Sequence, residues 1–150
     1  MNQIIIFCAS YLIYIGAVYA GFHVLLKHER RHYIQHGFII FGSAVCAWVI
    51  AHVLKGAIAH PRPDFASALI IPDDTYSFPS GHATFMFALA FSMYSFDKRA
   101  GMIIGALALI TGISRVLAGV HFWYDILGGL VLGAGVASII VILAQRFIKK

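Results

Sequence analysis

Long apolar runs separated by short polar connections dominate the chain. Runs that approach or exceed spanning length cover residues 3–26, 36–54, 79–96, 101–118 and 122–148, and about 20 residues are needed to cross the hydrocarbon core of a bilayer. The third run is the least regular, because its purely apolar part is short and is extended only by the Ser-Gly-His turn before it. The pattern predicts an all-α fold, a polytopic membrane helical bundle of about five transmembrane helices.

The composition agrees with a bilayer as the solvent. Hydrophobic residues make up 61% of the chain and charged residues 11%, whereas about a quarter of an ordinary soluble protein is charged. Cys8 and Cys46 lie inside apolar runs, so their spacing supports neither a disulfide framework nor a metal site. The first run has no basic segment before it, so we expect a retained helix instead of a signal peptide. We expect residues 1–150 to form a single integral membrane domain.

The net charge of +5 bears on partners and on orientation. The basic residues do not form a stripe with exposed aromatics, so no nucleic acid is expected and the lipid bilayer is the expected neighbour. Five spans place the loop at 27–32, the turn at 97–99 and the tail with Arg146, Lys149 and Lys150 on one face. By the positive-inside rule this face is cytoplasmic. We therefore predict a multi-pass protein of the cell inner (cytoplasmic) membrane, with its other face toward the periplasm or exterior.

Three short polar blocks interrupt the apolar pattern at that other face. They are Lys55 with Arg62-Pro63, then Pro79-Ser80-Gly81-His82, then Ser114-Arg115 with His121 and Asp125. Converging cations at the end of a membrane bundle repel one another and are costly to bury, so their cluster indicates an anionic ligand. The residue types suit phosphoryl transfer, since cations hold a dianion, two histidines serve as nucleophile and acid, and a carboxylate orients one of them.

These blocks resemble the three-part signature of the type 2 phosphatidic acid phosphatase superfamily, which also contains the vanadium haloperoxidases. The matching segments are Lys55-x6-Arg62-Pro63, Pro79-Ser80-Gly81-His82 and Ser114-Arg115-x5-His121-x3-Asp125, with no position missing. Integral membrane members commonly have six helices, so the five predicted here are one fewer, and the difference falls before Lys55.

The resemblance implies a role for each matching residue. His121 would be the nucleophile that forms a phosphohistidine, Asp125 would hold it, and His82 would act first as general acid and then as base. On a helix the i,i+4 spacing would place His121 and Asp125 on one face. The phosphate would be bound by cationic side chains and by donors at the start of the third helix, namely Lys55, Arg62, Arg115, Ser80 and Gly81. No metal or other cofactor is required.

The resulting prediction is a metal-independent lipid phosphatase that hydrolyses a terminal phosphate of a membrane lipid phosphate or pyrophosphate. The substrate would arrive laterally through the bilayer. Undecaprenyl pyrophosphate is favoured, with phosphatidylglycerophosphate, phosphatidic acid and a lipid A phosphate as alternatives. A lipid-to-lipid phosphotransferase, a vanadate-dependent haloperoxidase and a noncatalytic membrane scaffold stay open, as does the oligomeric state.

Four further polar residues lie close to the blocks in sequence. Asp73 and Asp74 are in the loop 64–78, where an acidic pair is usually a solvated turn, although it can also position a headgroup or repel wrong anions. His52 and His60 flank Lys55 but are not in the signature, so structural or modulatory roles are predicted for them.

Overall fold

The computed structural model of the chain describes residues 1–27, 33–63, 67–72 and 74–148. Five α-helices make up the regular structure of these residues. They are α1 (Asn2–Lys27), α2 (Tyr33–Ile58), α3 (Gly81–Tyr94), α4 (Lys98–Leu117) and α5 (Trp123–Ile148). The predicted all-α bundle is confirmed. Some residues of the predictions above lie outside the described residues, namely residues 28–32 of the basic loop at 27–32, residues 64–66 of the loop at 64–78, Asp73, Lys149 and Lys150.

Helix length separates α3 from the other described helices. Helices α1, α2, α4 and α5 are each long and apolar enough to cross a membrane. Helix α3 has 14 residues, which give a rise of about 21 Å, whereas the hydrocarbon core is about 30 Å thick. The third run was the least regular in the sequence, and it forms the shortest helix.

The ends of α3 differ from the predicted boundaries at 79 and 96 because polar side chains cap the starts of α3 and α4. Ser80 is the N-cap of α3, with an extended backbone and a hydroxyl that accepts from the Ala83 N–H at 3.5 Å. Asp97 is the N-cap of α4, and its Oδ1 accepts from the Ala100 N–H at 3.0 Å. Each cap satisfies an otherwise unpaired N–H at a helix start, so α3 ends before the apolar run does.

Helix α3 lies in the middle of the bundle. It packs against α2, α4 and α5, and ten of its 14 residues are buried. Helix α5 approaches it closely at Gly133, where a Cβ atom would lie 2.5 Å from the carbonyl oxygen of Thr84. The outer helices instead keep large apolar side chains exposed, such as Phe22 at 63% and Phe38 at 77%. Such apolar outer faces suit a lipid environment.

The alternation of helix direction gathers helix ends on two sides. On one side the Nε2 atom of His23 lies 3.1 Å from Oδ2 of Asp97. On the same side the ring centroids of His36 and Phe96 are 4.3 Å apart. These contacts join the end of α1, the start of α2 and the α3–α4 turn. The ends of α2 and α4 meet the starts of α3 and α5 on the opposite side, where the polar blocks lie.

Candidate active site

A pocket of about 260 Å³ opens where the polar blocks meet. It is lined by Ile13, Tyr14, Trp48, His52, Lys55, Arg62, Asp74, Gly81, His82, Arg115 and His121. The structure thus brings six of the eight predicted site residues to one pocket. Asp125 lies behind His121, and Ser80 is not part of the lining.

Three buried cations form one side of this pocket. Lys55, Arg62 and Arg115, called the cationic cluster below, are 5%, 9% and 6% exposed. They come from the end of α2, the loop after α2 and the end of α4. A buried positive charge is costly unless an anion balances it, so the cluster is suited to an anionic ligand.

Arg62 is fixed by the loops on both sides of it. Its Nη1 donates to the Val120 carbonyl oxygen at 2.6 Å, and its Nε donates to the Asp74 carbonyl oxygen at 2.9 Å. The same Nη1 lies 3.4 Å from Nε2 of His121. The guanidinium therefore ties the loop after α2 to the segment before α5 and holds a positive charge beside the His121 imidazole.

His121 and Asp125 form a buried pair at the start of α5. Nδ1 of His121 lies 3.1 Å from Oδ2 of Asp125, and the two residues are 2% and 0% exposed. Asp125 Oδ2 also accepts from the Phe122 N–H at 2.8 Å. A carboxylate only accepts, so Nδ1 donates the hydrogen and Nε2 keeps its lone pair. That lone pair faces Arg62 and the pocket.

The prediction that His121 and Asp125 share a helix face is wrong. Helix α5 begins at Trp123, so His121 precedes the helix. The contact forms through a turn, in which the Asp125 N–H donates to the Phe122 carbonyl oxygen at 3.1 Å and the Asp125 carboxylate accepts from the Phe122 N–H. The carboxylate thus accepts from the backbone of the segment before α5 and contacts the imidazole at the same time.

Burial and neighbouring charges control the protonation of His121. Burial lowers the pKa of its imidazole, the hydrogen bond to Asp125 opposes that effect, and the positive charges of Arg115 and Arg62 lower the pKa further, to about 4. The side chain is therefore neutral near pH 7. A neutral imidazole is the nucleophilic form.

The start of α3 supplies a second wall. His82 and Gly81 both line the pocket. A Cβ atom on Gly81 would lie 3.3 Å from Cε1 of His52 and 3.5 Å from Nε1 of Trp48, so glycine suits this crowded place. Ser80 is fully buried, and its hydroxyl caps α3. A direct phosphate contact from Ser80 stays a prediction, and its place in the fold is that of a helix cap.

Asp74 belongs to the site, although the sequence favoured a solvated turn. Its Oδ2 lies 2.6 Å from Nζ of Lys55, and its Oδ1 accepts from Nη2 of Arg62. Burial alone would raise the pKa of the Asp74 carboxyl, but the hydrogen bonds from Lys55 and Arg62 outweigh it and hold the pKa below its usual range. Asp74 therefore places a negative charge against two members of the cationic cluster. The sequence did contain a signal for such a carboxylate. The polar blocks hold three cations but only one carboxylate, that of Asp125, so the positive charge exceeds the negative charge.

Removing the Asp74 carboxylate is expected to tighten the binding of inorganic phosphate. The carboxylate occupies hydrogen-bond donors of Lys55 and Arg62, so a phosphate that uses the same donors must displace it. We expect Asp74→Ala to lower the dissociation constant for inorganic phosphate by about tenfold, which corresponds to about 1.4 kcal/mol. Titration calorimetry with the detergent-solubilised protein measures this constant directly.

An exchange of two neighbouring residues provides the control. The double variant Asp74→Thr, Thr75→Asp keeps the composition and charge of the loop but moves the carboxylate to an exposed position. We expect it to bind phosphate as tightly as Asp74→Ala does. Unchanged or weaker phosphate binding in Asp74→Ala would contradict the competition and assign Asp74 a purely supporting role.

Comparison with known proteins gives the same family as the polar blocks. The family model described as PAP2 superfamily matches residues 33–149. Among solved structures, the chain is similar to the first transmembrane PAP2 type phosphatidylglycerolphosphate phosphatase from Bacillus subtilis, with a TM-score of 0.68 and 26% identity. That likeness covers 99% of this chain and 76% of the other.

Two curated relatives extend the comparison. The bacitracin transport permease protein BcrC of Bacillus licheniformis is 30% identical over 141 residues, which cover 89% of this chain and 66% of the relative. The undecaprenyl-diphosphatase BcrC of Bacillus subtilis (strain 168) is 32% identical over 122 residues, which cover 79% of this chain and 59% of the relative. The chain spans less than two thirds of the length of either protein.

Proposed function

The chain belongs to the PAP2 superfamily, whose model covers residues 33–149, and from that premise we propose that it is a metal-independent membrane lipid phosphatase. One observation carries the proposal. Nε2 of His121 has its lone pair directed at a pocket with three buried cations, while Nδ1 is held by Asp125 at 3.1 Å. This arrangement suits nucleophilic attack on a bound phosphate.

The proposed reaction has two steps. In the first, Nε2 of His121 bonds to phosphorus as the bond from phosphorus to the lipid oxygen breaks, and His82 gives a proton to that oxygen. In the second, His82 takes a proton from a water molecule whose oxygen attacks phosphorus. The nitrogen–phosphorus bond then breaks, inorganic phosphate leaves and the lone pair returns to Nε2. Asp125 holds the Nδ1 hydrogen throughout.

The cationic cluster has the binding role in this mechanism. Its three side chains neutralise the nonbridging oxygens, with forked contacts from the two arginines and a point charge from Lys55. The Gly81 N–H lies at the start of α3, where the helix dipole favours an anion. Because charge on these oxygens is held in a largely buried pocket, the interactions are stronger than they are in water.

We propose that the substrate is a lipid phosphate or pyrophosphate that enters laterally from the bilayer. Undecaprenyl pyrophosphate is the first candidate, supported by the similarity to the undecaprenyl-diphosphatase BcrC of Bacillus subtilis. Phosphatidylglycerophosphate is the second, supported by the similarity to a phosphatidylglycerolphosphate phosphatase structure, and phosphatidic acid and a lipid A phosphate follow. In this proposal the chain is a single domain in the cell inner membrane, with the pocket facing the periplasm or exterior.

Phosphate release from a panel of lipids tests the proposal. The purified protein in detergent, with a metal chelator present, is incubated with each candidate lipid and inorganic phosphate is measured. We expect release from at least one lipid phosphate or pyrophosphate despite the chelator. Release from none of them, or release that needs an added metal ion, would contradict the proposal.

The rate is expected to pass through a maximum with pH. His121 must be neutral to attack, and its pKa is lowered to about 4, so protonation removes activity only as the pH falls through that value. A histidine with an ordinary pKa of about 6.5 would already lose activity near neutrality. The alkaline side of the kcat profile falls as the substrate complex loses the proton that His82 gives to the leaving oxygen, a proton that the negative charge of the bound phosphate holds on the ring.

Both kcat/KM, which reports the free protein, and kcat, which reports the substrate complex, are measured between pH 3.5 and 9 with one lipid substrate, a range that brackets the His121 pKa of about 4. Each sample is returned to pH 7 and assayed again, so that irreversible unfolding is separated from protonation. A flat profile, or an acid side that already falls near pH 6.5 as an ordinary histidine would, would count against the proposed state of His121.

A further inference from the structure

One face of α2 leads from the membrane interior to the cationic cluster. Val45, Trp48, His52 and Lys55 follow one another at spacings of three or four residues, which places them on one face of the helix. At 1.5 Å per residue, His52 lies about 4.5 Å along the axis from Lys55, and Trp48 lies about 6 Å beyond it. The face therefore passes from an aliphatic side chain through an indole and an imidazole to a cation.

His52 has one ring nitrogen held and the other directed at an anion position. Its Nδ1 donates to the Trp48 carbonyl oxygen at 3.0 Å. The centroids of the His52 and Trp48 rings are 4.1 Å apart. Nε2 of His52 lies 4.0 Å from Asp74 Oδ2, the same oxygen that lies 2.6 Å from Nζ of Lys55. The imidazole thus stands beside the position where an anion contacts the cationic cluster, and its side chain is 40% exposed.

An apolar groove adjoins the pocket on this side of the bundle. It is lined by Ile13, Tyr14, Ala17, Val45, Trp48 and Phe85. Ile13, Tyr14 and Trp48 also line the pocket, so the groove and the pocket share these three side chains as a common wall. His52 stands between the cations at one end and the apolar walls at the other. A ligand that fills both parts carries an anionic head and an apolar tail.

We propose that His52 binds the second phosphate of a lipid diphosphate, the phosphate that stays on the lipid. This inference rests on the proposed function. The terminal phosphate occupies the cationic cluster, the second phosphate lies one helical turn along α2 beside His52, and the tail lies in the groove. With the imidazole protonated, Nε2 donates to a phosphate oxygen while Nδ1 donates to the Trp48 carbonyl oxygen.

This contact makes His52 a specificity residue. When His121 attacks the terminal phosphorus of a diphosphate, the leaving group is the lipid monophosphate, and His52 holds the charge that develops on it. A lipid monophosphate offers no second phosphate, so it does not use the contact. The contact therefore raises kcat/KM for diphosphates selectively.

Two substrates with the same tail test this inference. Farnesyl diphosphate and farnesyl monophosphate are compared by phosphate release from the purified full chain in detergent. We expect the wild type to prefer the diphosphate by about tenfold or more in kcat/KM, the effect of one charge-assisted hydrogen bond. We expect His52→Ala to remove most of that preference, with a loss of about tenfold on the diphosphate and under about twofold on the monophosphate. His52→Lys, which restores a positive charge, is expected to recover the preference.

His36→Ala is the matched control, because His36 lies on the same helix at the opposite end of the bundle. It should leave the ratio of the two kcat/KM values unchanged. Equal losses on both substrates in His52→Ala, or a wild type without preference for the diphosphate, would overturn the role of His52 and leave the proposed function standing. A wild type that releases phosphate from neither farnesyl substrate nor any lipid of the panel would instead overturn the proposed function.

Discussion

Replacing His121 by alanine is expected to lower kcat for the lipid substrate by about a thousandfold or more, since the variant loses the atom that bonds to phosphorus. In the structure Nε2 of His121 lies 3.4 Å from Nη1 of Arg62, and Nδ1 lies 3.1 Å from Asp125. The lone pair is therefore aimed and the ring cannot turn without breaking a buried hydrogen bond. The pocket keeps its cationic cluster in the variant, so it should still bind inorganic phosphate.

Trapping the covalent intermediate separates loss of the nucleophile from loss of the fold. The wild type, quenched during turnover of a lipid carrying a radioactive terminal phosphate, is expected to hold an acid-labile label, and His121→Ala is expected to hold none. His82→Ala is the matched variant, because it removes another imidazole that lines the pocket but leaves the nucleophile in place. We expect it to turn over slowly and still carry the label. A labelled His121→Ala protein would contradict the assignment.

The fold was predictable from the sequence because bilayer-spanning helices leave a strong pattern. Runs of apolar residues predicted five helices, and five are present among the described residues. The ends of α3 were not predictable in the same way, because Ser80 and Asp97 act through individual hydrogen bonds that hydropathy does not record. The turn at 95–96 therefore lies inside the predicted apolar run at 79–96.

The meeting of the polar blocks was also predictable, because alternating helix direction determines which ends share a side. Lys55, His82 and Arg115 belong to three different helices and line one pocket. The position of Asp74 in the pocket was not predictable from this rule, because Asp74 lies in a loop whose path depends on contacts with Lys55 and Arg62. His52 lies three residues before Lys55, so the spacing places both on one helix face, but its place beside an anion position depends on the shape of the pocket.

The structure also changes how the His121–Asp125 contact is understood. Spacing of four residues suggested a shared helix face, but His121 precedes α5 and the contact depends on a turn. Asp125 accepts from both the Phe122 N–H and the His121 ring through one oxygen. One carboxylate therefore controls both the path of the chain and the tautomer of the imidazole. A variant that removes its charge but keeps its shape shows what the charge contributes without changing the path of the chain.

Asp125→Asn is the second variant with a large expected effect, a loss of about a hundredfold or more in kcat. The amide has nearly the same shape as the carboxylate, and its oxygen at the Oδ2 position can still accept from both the Phe122 N–H and Nδ1 of His121. The tautomer of the ring is therefore kept, but the negative charge beside it is lost. When Nε2 bonds to phosphorus the imidazole ring becomes positively charged, and a neutral amide stabilises that charge less than a carboxylate does. The loss thus arises from the missing charge in an otherwise intact site.

Ser77→Ala provides the control for this argument, because the Ser77 hydroxyl lies 3.4 Å from the other carboxylate oxygen, Oδ1 of Asp125. It removes a neighbour of the same carboxylate without changing the charge or the Nδ1 contact, so we expect a loss of less than about tenfold. Nitrogen NMR of labelled histidine reports the tautomer directly and should show the hydrogen on Nδ1 in both the wild type and Asp125→Asn. Full activity in Asp125→Asn would mean that the charge of Asp125 does not contribute to the reaction, and a hydrogen on Nε2 in an inactive Asp125→Asn protein would mean that the loss comes from the tautomer instead. Since the family signature fixes only residue types, this measurement tests the physical reason for the carboxylate at position 125.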